Sequence, residues 1–137
     1  MPPSAARSIA AALMASTAML AVANHAFAQA DKPTVIDIKL SEFRFAPTQI
    51  ELAHGQTYLL RLTNDGQHAH DLSAKDFFKV ATMGSDASAK IKNGDIDVPE
   101  GQTVEVELTP GTPGTYEMHC ARPMHSMLGM KGEIVVH

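Results

Sequence analysis

Alternation of apolar and polar residues dominates the chain after about residue 30. Ile36, Ile38 and Leu40, for example, are separated by charged residues. A period of two is typical of strands that bury one face. Gly, Pro and Asn residues interrupt the alternating segments at short intervals, as they do at the turns between strands. The pattern therefore predicts a mostly β domain.

The alternation predicts seven strands, over residues 34–40, 48–53, 56–63, 94–98, 102–109, 114–120 and 130–136. Turn residues separate them at 54–55, 64–66, 99–101 and 110–114. Seven short strands with frequent turns are typical of a β-sandwich. The segment 73–93 is the exception, because the spacing of Phe77, Val80 and Ala81 predicts a short helix. We expect this segment to be an insertion that packs on the sandwich.

The first 28 residues follow a different pattern. Arg7 precedes an apolar run over 9–23, and the small-residue motif Ala26-Phe27-Ala28 comes next. This order is typical of a cleavable secretory signal. A membrane anchor is the alternative, but the run is short and rich in alanine. We therefore expect a signal peptide over 1–28, a single exported domain over 29–137 and a periplasmic location.

Composition and charge narrow the possible functions. The chain has 137 residues with a hydrophobic fraction of 45%, which suffices for one core. The formal net charge of −4 becomes −5 without the signal segment, since that segment contains Arg7 and no acidic residue. A negative charge disfavours nucleic acid and anionic membranes as partners. No Gly-rich phosphate loop or Gly-x-Ser-x-Gly motif occurs, which disfavours nucleotide and hydrolase chemistry.

The single cysteine points to metal chemistry. An exported chain with one cysteine forms no internal disulfide, and its free thiol is open to oxidation. Cys120, His125 and Met130 follow one another with four residues between each pair, in a loop between two predicted strands. Thiolate and thioether sulfur favour Cu(I), while imidazole suits both oxidation states of copper. The loop therefore predicts three ligands of a copper site.

A mononuclear copper site of this type needs a second imidazole, which must come from elsewhere in the chain. His70 is the candidate, because it follows the predicted strand that ends near residue 63. His68 is the alternative, since it lies two residues away and on the same side of an extended chain. Zinc also binds one cysteine and two histidines, but it gains little from the thioether of Met130.

Several motifs together resemble the cupredoxin family over nearly the whole mature chain. They are Phe43-x-Phe45-x-Pro47-x-x-Ile50-x-Leu52-x-x-Gly55-x-Thr57, Asn64-x-Gly66, His70-Asp71 and the Cys-x4-His-x4-Met loop. The resemblance implies a Greek-key β-sandwich that holds one copper ion per chain. It also implies a ligand set of His70, Cys120, His125 and Met130.

Other residues near these motifs are expected to have roles other than metal ligation. Met124 and Met127 are expected to form an apolar surface around His125. His119 precedes Cys120 on a strand, so its side chain is expected on the opposite face. Asn64 either fixes the ligand loops through side-chain hydrogen bonds or is a plain turn residue.

The resemblance implies a one-electron carrier rather than an enzyme. We expect a monomer that docks a redox partner near His125. The alternative is a copper-handling protein that sequesters or delivers the ion, with His68, His119, Met124 and Met127 as auxiliary donors. A multicopper enzyme would need further histidine-rich centres, usually across more than one domain.

Overall fold

Two β-sheets pack against each other in the computed structural model, which describes residues 32–137. The predicted signal peptide over 1–28 lies outside the described residues and stays a prediction. The strands are β1 (Thr34–Ser41), β2 (Arg44–Ala46), β3 (Gln49–Leu52), β4 (Tyr58–Asn64), β5 (His70–Ser73), β6 (Ile91–Lys92), β7 (Asp95–Val98), β8 (Thr103–Leu108), β9 (Gly114–His119) and β10 (Lys131–Val136). The helices are α1 (Lys75–Val80) and α2 (Ser85–Ala89). Neither helix is long and apolar enough to cross a membrane.

The order of the strands brings distant parts of the sequence together. One sheet has the order β2-β1-β4-β8 and the other has the order β3-β10-β9-β5-β7-β6. β1 is parallel to β4, and β3 is parallel to β10, while the remaining pairs are antiparallel. β10, β9 and β5 are neighbours, so the segments that contain His70, Cys120 and Met130 meet at one end of the second sheet.

The core forms where the apolar faces of the two sheets meet. Alternate residues are buried in longer strands such as β4 and β10, which is the arrangement that the period-two pattern predicts. Full burial of each large aliphatic side chain contributes about 1.5–3 kcal/mol. The core includes Ile38, Leu40, Leu60 and Leu62 from the first sheet and Leu72, Ile96, Met118 and Ile134 from the second. Cys120 and Met130 belong to the same buried cluster, so the core continues up to the predicted metal site.

The predicted β-sandwich is confirmed, and each of the seven predicted strands is present with small shifts at its ends. The structure adds the short strands β2, β5 and β6. β2 and β6 have three and two residues, too few for a period to be visible. All four residues of β5 are buried, so they show no alternation and their sequence contains no strand signal.

The segment 73–93 is more structured than predicted. It contains two helices and β6 where the sequence indicated one short helix. α1 buries Phe77 and Phe78, and the Phe77 ring contacts that of Tyr116 on β9 at a centroid distance of 5.7 Å. α2 buries Ala87. The segment therefore packs on the sandwich, as expected.

We expect the substitution Gly111→Ala to destabilise the domain, because a side chain there would collide with the end of α1. A Cβ atom at Gly111 would lie 1.9 Å from the carbonyl oxygen of Val80, a backbone atom that cannot rotate away. Overpacking of this kind costs about 3 kcal/mol. Urea unfolding of the metal-free protein measures the effect, with Gly84→Ala as control because nothing lies within 4 Å of the corresponding Cβ. Equal unfolding midpoints in the two variants would contradict the predicted collision.

Candidate metal centre

The loop from Cys120 to Met130 closes on itself because its ends belong to neighbouring strands. His119 at the end of β9 pairs with Lys131 at the start of β10. The amide of Cys120 donates to the carbonyl of Met130 at 3.1 Å. The amide of Met130 donates in turn to the carbonyl of His125 at 3.0 Å. The backbone alone therefore brings the predicted thiolate, imidazole and thioether residues to one place.

The remote histidine reaches this loop through strand pairing. His70 is the first residue of β5, which runs antiparallel to β9 with Ser73 opposite His119. In this register the residues that follow His119 run back along β5 toward His70. The separation of 50 residues between His70 and Cys120 thus becomes a side-by-side contact in the sheet.

Three donor atoms converge at the point where these segments meet. The Sγ atom of Cys120 lies 3.5 Å from Nδ1 of His125, which lies 3.2 Å from Nδ1 of His70. All three donor atoms lie within 4.8 Å of one another. Ligands that each bind a metal ion at about 2.0–2.3 Å are separated by similar distances. The donor set therefore fits one metal ion, which the two imidazoles would bind through Nδ1.

Met130 is fully buried at the base of the same loop. Its backbone is hydrogen-bonded to both Cys120 and His125, as described above. Its thioether could supply a weak fourth ligand, which is the usual role of methionine in mononuclear copper sites. Ligation by Met130 stays a prediction.

Burial controls the protonation of the metal-free site. Burial raises the pKa of the Cys120 thiol, and the backbone N–H groups of Asp71 and Arg122, which donate to the sulfur, partly oppose this rise. The pKa of His70 is lowered, first by burial and then by the nearby His125. In the metal-free protein the thiol is therefore protonated and His70 is neutral at neutral pH. A metal ion that binds here must displace the thiol proton.

Asp71, which the sequence indicated only as part of the His70-Asp71 motif, has a structural role at the site. It is 8% exposed, and the backbone N–H of Ala121 donates to its carboxylate at 2.6 Å. The guanidinium of Arg122 pairs with Asp71 at 3.5 Å and also with Asp97. Asp71 thus ties β5 to the segment that follows Cys120. The signal in the sequence is a carboxylate directly after the predicted ligand His70, within a buried strand.

Asn64 fixes the loop that leads to His70. Its side-chain amide donates to the carbonyls of His68 and Val98 at 2.8 and 2.9 Å. Its side-chain oxygen accepts a hydrogen bond from the N–H of Gly66 at 2.9 Å. Of the two roles considered for Asn64, the structure confirms the one in which side-chain hydrogen bonds order the ligand loop.

Within residues 32–137, the remaining histidines lie outside the cluster of donor atoms. His68 is 72% exposed, and its Nδ1 atom lies 3.5 Å from the carboxylate of Glu42. His119 lies near Glu117, with 3.7 Å between Nδ1 and Oε1, and does not belong to the donor cluster that contains Cys120. Between His68 and His70, only His70 is brought together with Cys120 and His125.

Exposed apolar side chains lie in the same loop as the partly buried His125. The Phe43 ring contacts the imidazole edge-on, with a centroid distance of 5.3 Å. Met124, Met127 and Leu128 from the ligand loop are exposed. The ligand loop therefore exposes the apolar side chains expected beside His125, and Phe43 adds a contact with the ring itself.

Known structures of the same fold include several copper proteins. An auracyanin from Roseiflexus castenholzii is 22% identical, with a TM-score of 0.58, over 76% of this chain and 97% of that chain. Auracyanin A from Chloroflexus aurantiacus is 25% identical, with a TM-score of 0.55, over 77% of this chain and 100% of that chain. A blue copper oxidase from Nitrosomonas europaea is 17% identical, with a TM-score of 0.61, over 77% of this chain but only 39% of that chain. Comparison with curated proteins gives no match.

A family model described as a cupredoxin-like domain matches residues 10–136. This match covers all ten strands and each of the four predicted ligand residues. Together with the two-sheet sandwich and the converging donor atoms, it confirms the resemblance that the sequence motifs indicated. The chain belongs to the cupredoxin family.

Proposed function

We propose that the protein binds one copper ion through His70, Cys120, His125 and Met130 and acts as a one-electron carrier. The observation that carries this proposal is the convergence of two imidazole nitrogens and one sulfur within 4.8 Å. The donors come from a loop closed by backbone hydrogen bonds and from a buried strand. Such a preformed site changes little between oxidation states, which favours rapid electron transfer.

The donor set suits copper better than zinc, because zinc gains little from the thioether of Met130. Bound copper would supply the change between Cu(I) and Cu(II). The chain supplies a buried thiolate sulfur, two imidazoles and a buried methionine. The N–H groups of Asp71 and Arg122 donate to the sulfur and thereby stabilise its negative charge. Burial of His70, Cys120 and Met130 keeps water away from most of the site.

Electrons would enter and leave through the edge of His125, the ligand that is only partly buried. The exposed apolar side chains around it suit a small and weak interface, which allows rapid exchange of partners. We propose a redox protein as the partner that docks there. Export to the periplasm belongs to the same proposal and is supported by the sequence pattern of residues 1–28.

The relatives support a carrier rather than an enzyme. Auracyanin A is described as a blue copper protein, and this chain covers the whole of it. The copper oxidases are matched over only 39% of their length, so most of their structure has no counterpart in this match. Among residues 32–137, one group of three or more His, Cys, Asp or Glu side chains has the spacing of a metal site.

Addition of Cu(II) to the metal-free mature protein tests the proposal. We expect an intense visible band from charge transfer between thiolate and copper, with saturation at one equivalent. EPR spectroscopy is expected to show a single Cu(II) species. Met127→Leu is a suitable control, since it removes an exposed thioether and is expected to leave the band unchanged. Absence of the band in the wild-type protein would overturn the proposal.

Copper handling is the second candidate function, and the exposed thioethers beside the site favour it. Met124 and Met127 are 63% and 82% exposed, so their soft sulfur atoms could receive Cu(I) from the site. Repeated oxidation and reduction in the presence of a Cu(I) chelator separates the two functions. A carrier keeps its copper through many cycles, whereas a handling protein loses it. If the protein loses copper during the cycles, replacement of both Met124 and Met127 by leucine should slow that loss.

A further inference from the structure

The outer nitrogen of His70 has no hydrogen-bond partner. Nδ1 of His70 faces Cys120 and His125, while Nε2 is buried and unpaired. A neutral imidazole that binds a metal through Nδ1 carries its proton on Nε2. Histidine ligands almost always donate this second N–H to a carboxylate, a carbonyl or a water molecule. We therefore expect a hydrogen-bond acceptor for the Nε2–H group, on the side of the His70 ring that faces away from the metal site.

Gly66 leaves a narrow space beside this nitrogen. A Cβ atom at Gly66 would lie 2.9 Å from Nε2 of His70, 2.8 Å from Oε1 of Glu42 and 3.2 Å from Oδ1 of Asn64. These three polar atoms therefore surround a position that only glycine leaves open. Oδ1 of Asn64 already accepts the N–H of Gly66. Glu42 is the acceptor in this group that carries a full negative charge.

The position of Glu42 is set by its surroundings. Its Oε1 atom accepts the backbone N–H of Gln67 and lies 3.5 Å from Nδ1 of His68. The hydrogen bond from Gln67 lowers the pKa of the Glu42 carboxyl, so the group is ionised at neutral pH. Its side chain is 39% exposed, and the pair with His70 proposed below requires a small rotation of the carboxylate toward Nε2.

The turn that contains Glu42 contacts one imidazole of the site and lies close to the other. Glu42 and Phe43 connect β1 to β2, and Phe43 packs against the ring of His125. Phe43 has a φ angle of 58°, a left-handed conformation that is rare for a bulky residue. Such local strain persists only where the surrounding structure holds it in place. This turn is therefore held over the two histidine ligands.

We propose that Glu42 is a positioning residue for the metal site, whose carboxylate attracts and accepts the Nε2–H of His70. This inference rests on the proposed function, since it concerns His70 as a copper ligand. A negative charge on the far side of an imidazole ligand makes the ligand more basic. It also stabilises Cu(II) more than Cu(I), because the oxidised site carries one more positive charge. Glu42 therefore lowers the reduction potential and fixes the orientation of the His70 ring.

The substitution Glu42→Gln tests this role, because it keeps the shape of the side chain and removes its charge. Glu51→Gln is the matched control, since Glu51 is also exposed and also pairs with a histidine, His137, at 3.1 Å. We expect the visible band in both variants, with a higher reduction potential in Glu42→Gln alone. The affinity for Cu(II) relative to Cu(I) should fall several-fold in this variant. Equal potentials in the two variants would overturn the inference.

A second measurement uses the wild-type protein and does not depend on the folding of a variant. Carbon-13 NMR compares the carboxyl signals of Glu42 and Glu51 before and after addition of Cu(I), which is diamagnetic. We expect the Glu42 signal to shift and the Glu51 signal to stay in place. An unchanged Glu42 signal would overturn the inference.

The two proposals fail in different ways. A wild-type protein that develops no charge-transfer band with Cu(II) contradicts the proposed function. A wild-type protein with the band, together with equal potentials in Glu42→Gln and Glu51→Gln, contradicts only the role of Glu42.

Discussion

Replacement of Cys120 by serine is expected to abolish the visible charge-transfer band and to weaken copper binding by more than about 100-fold. Removal of a group that only hydrogen-bonds to a metal ligand reduces metal affinity by up to about 100-fold. Cys120 is itself a predicted ligand, so its replacement should reduce the affinity further. A serine hydroxyl is a poor donor to copper because it is harder than thiolate and stays protonated at neutral pH. Visible absorption and competition with a copper chelator measure the two effects.

The variant is expected to fold, so loss of the band would report on the ligand and not on the structure. The smaller oxygen atom still has the backbone N–H groups of Asp71 and Arg122 as donors, which limits the cost to about 1 kcal/mol. Far-ultraviolet circular dichroism and urea unfolding of the metal-free protein check this expectation. A band that persists in Cys120→Ser would refute ligation by this residue.

Replacement of His70 by alanine is expected to remove the band, whereas replacement of His68 by alanine is expected to leave it. Nδ1 of His70 lies 3.2 Å from Nδ1 of His125, and His70 is fully buried. His68 is exposed and pairs with Glu42. The loss of one of two imidazole ligands should therefore weaken copper binding by more than about 100-fold in the first variant only.

The two histidine variants control for each other, because they remove the same group two residues apart. Both proteins are compared by absorption, by EPR and by the free energy of unfolding without metal. If colour were lost in His68→Ala and kept in His70→Ala, the choice of the remote ligand would be wrong.

The local parts of the site were predictable from the sequence. Cys120, His125 and Met130 lie on one loop, and the strands on either side show clear alternation. Antiparallel neighbours bring the two ends of such a loop together, so the spacing alone indicated a shared site. The β-sandwich was predictable for the same reason, since burial of one face produces a period of two.

Contacts between distant segments were not predictable in this way. β5 is buried throughout and has no alternation, so its pairing with β9 had no signal in the sequence. The roles of Asp71 and Glu42 depend on that pairing and on the turn between β1 and β2. Gly66 resembles an ordinary turn glycine until the polar atoms around it are known.

The fold class and the ligand loop followed from the sequence alone, because both depend on periodicity and on donor residues close together in the chain. The sequence favoured His70 over His68 only through the family resemblance, and the tertiary structure supplies the physical reason, because it buries one imidazole against Cys120 and leaves the other exposed. The hydrogen bonds and charges around the site also depend on the tertiary structure. Hydrogen bonds and charges act over a few ångströms, and strand pairing brings together groups that are 50 residues or more apart in the sequence.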